Sequence, residues 1–221
     1  MLLLLLSLQA EAATVAADTL RKTRAEKCFE AVFEGECTVA GKRIGKKGSG
    51  LRCAPGILLL DIETVGGKRT RAVRVGERAW VYSLLGRAWL AHDDTDEAGV
   101  AHGLLNPDKL LSLLAEHAPN AKAKGADLEI QVEGAKAVAL ANALVPNQEW
   151  TQARAAVLLQ RDAQGLLASV HIDASVRNAQ GPADLSATFK LGRFGQVAVP
   201  AALGTVPFSP EVAAAIADQL K

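Results

Sequence analysis

Hydrophobic and polar residues alternate in short segments between Cys28 and about Ala91, and glycine-containing turns separate these segments. Alternation with a period of two residues is typical of β-strands, because successive side chains point to opposite faces of a sheet. The breaks are too short for parallel crossovers, so neighbouring strands are predicted to pair as antiparallel hairpins. The predicted strands are residues 28–39, 50–53, 57–64, 69–75, 79–83 and 87–91.

Helical patterns flank this sheet. Residues 13–27 are predicted to form a helix, and Asn106-Pro107 combines an N-cap residue with proline at the first helical position. The helix that follows, Pro107–His117, carries a broad leucine stripe that suits it to cover a sheet. Ser209 is predicted to cap a short C-terminal helix. A second set of strands is predicted at residues 127–132, 136–141, 153–161, 166–173 and 185–191.

Composition fits one compact domain with an aliphatic core. The chain has 221 residues, 22% of them charged and 49% hydrophobic, and only 4% are aromatic. The net charge of +1 gives no general attraction to nucleic acid. Residues 13–80 nevertheless hold fourteen Lys or Arg against eight Asp or Glu, and the hairpin at residues 41–48 concentrates four of the positive charges. This hairpin is either a solvated loop tip or a contact for an acidic partner or a lipid headgroup.

The N-terminal residues 1–12 resemble a secretory signal peptide, because an apolar leucine run precedes an Ala-x-Ala pattern that ends at Ala12. The run is far shorter than the ~20 apolar residues that span a bilayer. We therefore expect cleavage near Ala12, export to the periplasm or a comparable compartment, and a single mature domain over residues 13–221.

The chain contains three cysteines, Cys28, Cys37 and Cys53. If the first hairpin turns around Gly45, Cys37 and Cys53 lie opposite each other, and an exported protein is expected to join them in a disulfide. Three small buried thiols are the alternative. A zinc site is not expected, because the chain has no Cys-x-x-Cys pair.

Two other groups of residues are candidates for a metal site and for a catalytic site. His92 and the acidic residues that follow it, together with His102, form either a solvated loop or a metal site, but no known ligand spacing is matched. Ser169, His171 and Asp173 lie on one predicted strand, whereas a catalytic triad needs three groups that converge on one another. We therefore expect no catalytic residues, no metal and no cofactor, and a protein that is not an enzyme.

Several motifs occur in the order found in one protein family. The motifs are Phe29-Glu-Ala-Val-Phe33, Gly50-Leu-Arg52, Pro55-Gly-Ile-Leu-Leu-Leu-Asp61, Gly76-Glu-Arg-Ala-Trp-Val-Tyr82 and Asn106-Pro-x-x-Leu-Leu111. Through them the chain resembles the periplasmic lipoprotein-carrier superfamily, that is, the LolA/LolB-type half-barrels and their lipid- or lipoprotein-binding relatives, over most of residues 13–200. The arginine that latches the lid in that family has no assigned counterpart here.

The resemblance implies an α+β fold in which helices cover the concave face of a strongly curved antiparallel sheet, the half-barrel. It implies a non-enzymatic carrier or sensor that binds lipid or lipoprotein acyl chains in an apolar cavity between sheet and helices. The cavity lining is predicted to be Phe29, Phe33, Leu58, Leu60, Ile62, Val73, Val75, Trp80 and Tyr82, and the cover is predicted to be Leu110, Leu111 and Leu114.

Two other functions are retained as hypotheses. The first is a regulatory or scaffold module on the same fold, which binds a membrane-associated protein through the basic hairpin or a sheet edge. The second is a hydrolase at the face that carries His171. No nucleic-acid partner is expected, and the chain is expected to be a monomer.

Overall fold

The computed structural model describes residues 2–53, 56–64, 66–92, 107–145, 148–196 and 198–221. Its helices are α1 (Leu2–Ala25), α2 (Pro107–His117), α3 (Gly134–Leu144) and α4 (Pro210–Gln219), and a 3₁₀ turn, Ala118–Asn120, follows α2. The strands are β1 (Cys28–Val39), β2 (Lys42–Cys53), β3 (Ile57–Thr64), β4 (Arg69–Val75), β5 (Arg78–Ser83), β6 (Ala88–His92), β7 (Lys122–Lys124), β8 (Asp127–Glu133), β9 (Gln152–Arg161), β10 (Leu167–Asn178), β11 (Gly181–Gly192), β12 (Ala202–Leu203) and β13 (Val206–Pro207).

Most of the described strands belong to one curved antiparallel sheet. Eleven of them are ordered β6-β5-β4-β3-β2-β1-β11-β10-β9-β8-β7, while β12 and β13 form a separate hairpin. The ladder between β1 and β11 joins the N-terminal and C-terminal halves of the sheet. The sheet is open, so β6 and β7 are its edges. The predicted α+β class and the antiparallel hairpins are therefore confirmed.

The glycines of β2 allow neighbouring strands to come unusually close. Gly48 lies opposite Phe33 of β1 and opposite Ile62 of β3. A Cβ atom at Gly48 would lie 2.2 Å from the carbonyl oxygen of Asp61 and 2.8 Å from the Phe33 ring. Because such distances exclude any side chain, glycine is required where the Phe33 ring lies across β2.

The first hairpin turns earlier than the sequence suggested. Ala40 and Gly41 both have positive φ, 48° and 76°, which is the backbone geometry of a tight two-residue turn that matches strand twist. Strand β2 therefore begins at Lys42, and the residues predicted to be a loop around Gly45 are part of the sheet.

The earlier turn changes the disulfide. The predicted Cys37–Cys53 bond is wrong, because Cys28 is bonded to Cys53. A turn at residues 40–41 places Cys28 directly opposite Cys53, with the Cα atoms 4.2 Å apart, and places Cys37 opposite Ile44. Cys37 is a free buried thiol whose pKa burial raises.

Three helices cover the concave face of the sheet, where most of the core lies. Helix α1 buries Ala12, Ala16 and Leu20 on one side, and it packs against α2 and the 3₁₀ turn. Helix α3 packs on β9, with Leu140 fully buried. The strand predicted at residues 136–141 is therefore wrong. Alanine and leucine dominate this segment, and both favour a helix.

The C-terminal segment covers part of the opposite face. Helix α4 contacts β4, and the β12–β13 hairpin contacts β3. Val212 and Ile216 of α4 join a second apolar cluster with Leu59 of β3. The predicted cap is confirmed, since the Ser209 hydroxyl accepts a hydrogen bond from the Val212 N–H at 3.3 Å.

Helix α1 runs without a break through the segment that resembles a signal peptide. Within the described part of the chain, no helix combines the length and the apolar character that crossing a bilayer requires. Cleavage near Ala12 and the single domain over residues 13–221 stay predictions.

Candidate functional site

The predicted lining residues of β1 and β3 lie in the same buried apolar cluster as the predicted cover. Leu58, Leu60 and Ile62 alternate along β3 with residues that face the other way, so they share the concave face. All three belong to one cluster of buried hydrophobic side chains. The other predicted members of this cluster are Phe29, Phe33, Leu110, Leu111 and Leu114.

The remaining predicted lining residues lie on the opposite face. Val73 pairs with Leu59, and Val75 pairs with Ile57, so their side chains point away from Leu58 and Leu60. Trp80 pairs with Val73 and joins the same second cluster under α4. A single cavity lined by Leu60 together with Val73, Val75 and Trp80 is therefore ruled out by the register.

Tyr82 also lies on this opposite face, which is the outer face of the sheet. Its ring centroid lies 5.4 Å from that of Trp89, and Trp89 in turn lies 5.8 Å from Phe208 near the start of α4. The indole N–H of Trp89 donates to the carbonyl of Pro207 at 2.8 Å. These contacts fix the C-terminal segment on the outer face rather than forming a ligand cavity.

A cleft opens beside α2, the cover helix, which carries the predicted cover residues Leu110, Leu111 and Leu114. It has a volume of about 470 Å³ and lies between the start of β3, the end of β4 and α2. This volume is within the range of about 300–1,000 Å³ that is usual for small-molecule sites. The Arg74 guanidinium donates to the Gly76 carbonyl at 3.0 Å beside it. The apolar lining of the cleft includes Ile57, Leu58 and Leu113, and its charged lining includes Arg74, Asp108, Lys109 and Glu116.

The cluster next to this cleft is closely packed. Leu58 is 7% exposed, and Leu60, Leu110, Leu111 and Leu114 are 0–1% exposed. Leu58 and Leu60 therefore share a closed, buried cluster with the leucines of α2, and this cluster leaves little apolar surface open to a ligand. An acyl chain can lie there only if α2 moves away from the sheet.

Arg52 links the sheet to the cover helix. Its Nε donates to Asp108 Oδ1 of α2 at 3.1 Å, and its other nitrogens donate to the carbonyls of Glu26 and Arg24 after and within α1. The guanidinium also lies 5.6 Å from the centre of the Phe29 ring. No sequence signal identified this residue, because its partners lie 26 to 56 positions away.

Asp61 and Arg71 are buried charged residues on the outer face, that is, the face that α4 and the β12–β13 hairpin cover. Arg69 makes two hydrogen bonds to Asp61, at 2.7 and 2.6 Å, and Arg71 Nε lies 3.4 Å from Asp61 Oδ2. Burial acts to raise the pKa of Asp61, but the hydrogen bonds and charges of both arginines outweigh it and lower that pKa. Gly204 of the β12–β13 turn packs against this group. Arg71 therefore holds the C-terminal cover and does not contact α2.

The outer face of β10 carries the residues of the hydrolase hypothesis. His171 Nε2 lies 3.0 Å from Asp173, but His171 Nδ1 lies 2.9 Å from the hydroxyl of Thr188 on β11. Ser169 donates instead to Gln160 of β9 at 2.7 Å. The structure thus brings His171 and Asp173 together and directs Ser169 elsewhere, so these three residues do not form a triad.

The histidine-rich acidic loop of the sequence lies outside the described residues beyond His92. In the part of the chain that the structure describes, no His, Cys, Asp and Glu side chains are grouped to hold a metal ion. A metal site in the loop therefore stays a hypothesis.

No protein-family model matches this chain, and no match to a curated protein is found. Several solved structures are similar in fold. LprF from Mycobacterium bovis has a TM-score of 0.43 at 10% identity, over 86% of this chain and 96% of that one. A domain from Vibrio parahaemolyticus assigned to outer membrane lipoprotein sorting has a TM-score of 0.34 at 9% identity, over 87% and 95%.

A chain of the MucA/MucB complex from Pseudomonas aeruginosa has a TM-score of 0.32 at 16% identity, over 92% of this chain and 60% of that one. With TM-scores this low, nothing about the function of this chain follows from these structures.

Proposed function

We propose that this chain is an exported, non-enzymatic binding protein that takes the acyl chain of a lipid or lipoprotein between the concave face of the sheet and α2. The observation that carries the proposal is that Leu58, Leu60 and Ile62 of β3 share one buried apolar cluster with the leucines of α2, with a cleft of about 470 Å³ between the start of β3 and α2. An acyl chain that replaces α2 against β3 buries the same kind of surface.

The energetics of such an exchange are favourable for a long chain. Each CH₂ group that leaves water contributes about 0.8 kcal/mol. The cover helix is short and its outer side is charged, with Asp108, Lys109 and Glu116 all exposed. Its polar attachment to the sheet runs through Arg52. Because α1 packs against α2, displacement of α2 uncovers part of α1 together with the apolar side chains beneath α2, while α3 stays packed on β9.

Affinity for a series of saturated fatty acids tests the proposal. Binding is measured by displacement of a fluorescent acyl probe, and affinity is expected to rise about fourfold per added CH₂ until the site is filled. Native mass spectrometry of the protein purified from its host is expected to find a co-purified lipid. Absence of saturable binding for every chain length contradicts the proposal.

Two tryptophan variants locate the site. Leu60→Trp fills the space that the acyl chain needs and is expected to abolish probe binding, as judged on protein that remains folded by circular dichroism. Leu159→Trp is the matched control, because Leu159 belongs to the same cluster but lies on β9, which α3 covers. Equal binding by the Leu60→Trp variant and the wild type would refute the site between β3 and α2.

A protein-binding module is the second candidate function. The observation that favours it is the edge strand β7, whose residues Lys122, Ala123 and Lys124 are all exposed. An exposed edge of this kind accepts an extended peptide as an additional strand. Charge reversal at Lys122 and Lys124 is expected to weaken an acidic peptide partner and leave acyl binding unchanged.

The basic hairpin is a weaker docking surface than its sequence suggests. Arg43 is paired with Glu36, and Lys47 lies 3.9 Å from Glu63. Lys46 faces the concave side, where burial lowers its pKa. Only part of the positive charge that the sequence concentrates here therefore points outward for a partner.

A further inference from the structure

The turn between β5 and β6 carries leucines that belong to neither of the two buried apolar clusters. Leu85 is fully exposed at 101%, and its neighbour Leu84 is 58% exposed. Among the described residues, the exposed large hydrophobic side chains are Leu84, Leu85, Leu90, Val32 and Leu220, so three of the five belong to this one hairpin. Such a concentration of exposed apolar side chains marks an interaction site, whereas single exposed leucines do not.

The base of the hairpin is held firmly. Tyr82 and Trp89 face each other across the two strands with ring centroids 5.4 Å apart, and Trp89 is fixed to the C-terminal segment through Pro207 and Phe208. Within the turn, the Gly86 N–H donates to the Ser83 hydroxyl at 3.1 Å. The leucines therefore project from a fixed support, and little conformational freedom remains to be lost on binding.

The charge around this turn is positive. Arg87 lies in the turn itself, and residues 79–91 on either side of it contain no Asp or Glu. The register of β4 with β5 places the β3–β4 turn, which carries the exposed Lys68, at the same end of the sheet. The carboxylates nearest to that turn are already paired, Asp61 with Arg69 and Arg71 and Glu63 with Lys47.

We propose that the β5–β6 turn is a membrane contact that inserts Leu84 and Leu85 into the surface of an anionic phospholipid bilayer. The leucines reach the boundary of the acyl chains, while Arg87 and Lys68 pair with headgroup phosphates. The aromatic pair Tyr82 and Trp89 lies directly behind the leucines, at the level where aromatic side chains are favoured in membrane proteins.

The shape of the turn favours a bilayer over a protein partner. A stable protein interface buries about 800 Å² per partner, which a projecting turn with two leucines cannot supply. A lipid surface needs no complementary pocket, because its interior accommodates any projecting apolar group. This contact uses residues outside the cleft beside α2, so it stands independently of the proposed acyl-binding function.

Sedimentation of the full chain with vesicles tests the contact. The wild type is expected to bind vesicles of phosphatidylcholine mixed with phosphatidylglycerol more tightly than vesicles of phosphatidylcholine alone. Replacing both leucines (Leu84→Ser with Leu85→Ser) is expected to lower the partition constant by roughly tenfold or more. Arg87→Gln is expected to lower it about fivefold, and only for the anionic vesicles.

Matched controls come from exposed apolar residues elsewhere. Val32→Ser and Leu220→Ser remove side chains that are 54% and 52% exposed, and both variants are expected to bind vesicles like the wild type. All variants should unfold at the wild-type temperature, since the changed residues are exposed, and the double leucine variant should still bind the acyl probe.

Three results would overturn the membrane contact. The first is a wild type that does not sediment with the anionic vesicles. The second is equal binding by the double leucine variant and the wild type. The third is a wild type that self-associates in light-scattering measurements and becomes monomeric in the double variant, because the leucines would then be buried against a second copy of the chain.

Discussion

Arg52 of β2 and Asp108 of α2 are separated by 56 positions, yet Arg52 Nε lies 3.1 Å from Asp108 Oδ1. Arg52 also donates to backbone carbonyls at the end of α1. One side chain thus joins the sheet, the cover helix and the N-terminal helix. The two side chains differ in exposure, because that of Arg52 is 13% exposed and that of Asp108 is 52% exposed.

Loss of the Arg52 guanidinium should loosen α2. Arg52→Met keeps the stem over Phe29 but leaves two backbone carbonyls and a carboxylate without this donor, so the free energy of unfolding should fall by about 1–3 kcal/mol. Asp108→Asn should cost less than about 1 kcal/mol, because that carboxylate is half exposed. Hydrogen exchange of the α2 amides is the measurement, and equal acceleration in both variants would show that the carboxylate carries the link.

The Cys28–Cys53 disulfide should stabilise the fold. It closes a loop with a sequence separation of 25, and the chain-entropy model assigns a loop of this size about 3.5 kcal/mol. Cys28→Ser with Cys53→Ser should lower the free energy of unfolding in urea by about that amount. Peptide mass mapping under non-reducing conditions checks the connectivity, and a Cys37-containing cross-linked peptide would contradict it.

Acid should weaken the attachment of the C-terminal segment. The arginines keep the pKa of Asp61 below its ordinary value, so its contribution to stability is complete at neutral pH. That contribution is lost as the pH falls below about 4 and through the folded-state pKa of Asp61. Asp61→Asn should remove this pH dependence and cost about 3–5 kcal/mol at pH 7, because Arg71 stays buried without its carboxylate.

Glu63→Gln is the control for the acid prediction. Glu63 lies on the same strand, but its contact with Lys47 is 3.9 Å long and exposed, so its loss should cost under about 1 kcal/mol. Urea unfolding of both variants at a series of pH values makes the comparison. If the free energy of unfolding of the Asp61→Asn variant fell with acid as steeply as that of the wild type, another carboxylate would be responsible for the pH dependence.

Crowding at Gly204 should make it intolerant of a side chain. Its φ is +61°, and a Cβ atom would lie 3.1 Å from Asp61 Oδ2. Gly125 has a similar φ of +66° with nothing within 4 Å. Gly125→Ala should therefore cost about 1–2 kcal/mol for the backbone conformation alone. Thermal unfolding should show a larger loss for Gly204→Ala, and equal losses would mean that Asp61 and Arg71 move aside freely.

Removal of residues 1–12 should leave the fold intact. Helix α1 is anchored after that segment by Ala16, Leu20 and Thr23, and the Thr23 hydroxyl accepts a hydrogen bond from the Leu167 N–H at 2.9 Å. The intact mass of the exported protein should correspond to a start at Ala13, and its unfolding temperature should match that of the full chain. A retained N-terminal segment in the exported protein would contradict the predicted cleavage.

The sequence by itself determined several of the local elements. Period-two alternation placed β1, β3 and β4 at their observed bounds, and the proline and leucine stripe placed α2. The period rule failed at α3, where a short alanine-rich segment fits either period, whereas the helix propensity of its alanines and leucines and its packing on β9 favour the helix.

Tertiary structure alone decided which strand faces meet. Alternation tells which residues of one strand share a face, but it does not tell which face of the next strand lies beside them. The turn at Ala40 and Gly41 set the β1–β2 register and so selected Cys28 as the partner of Cys53. The pairing of Leu59 with Val73 placed the Val73 side chain on the outer face of the sheet. Strand register depends on turn geometry and on contacts between distant segments, which no local pattern encodes.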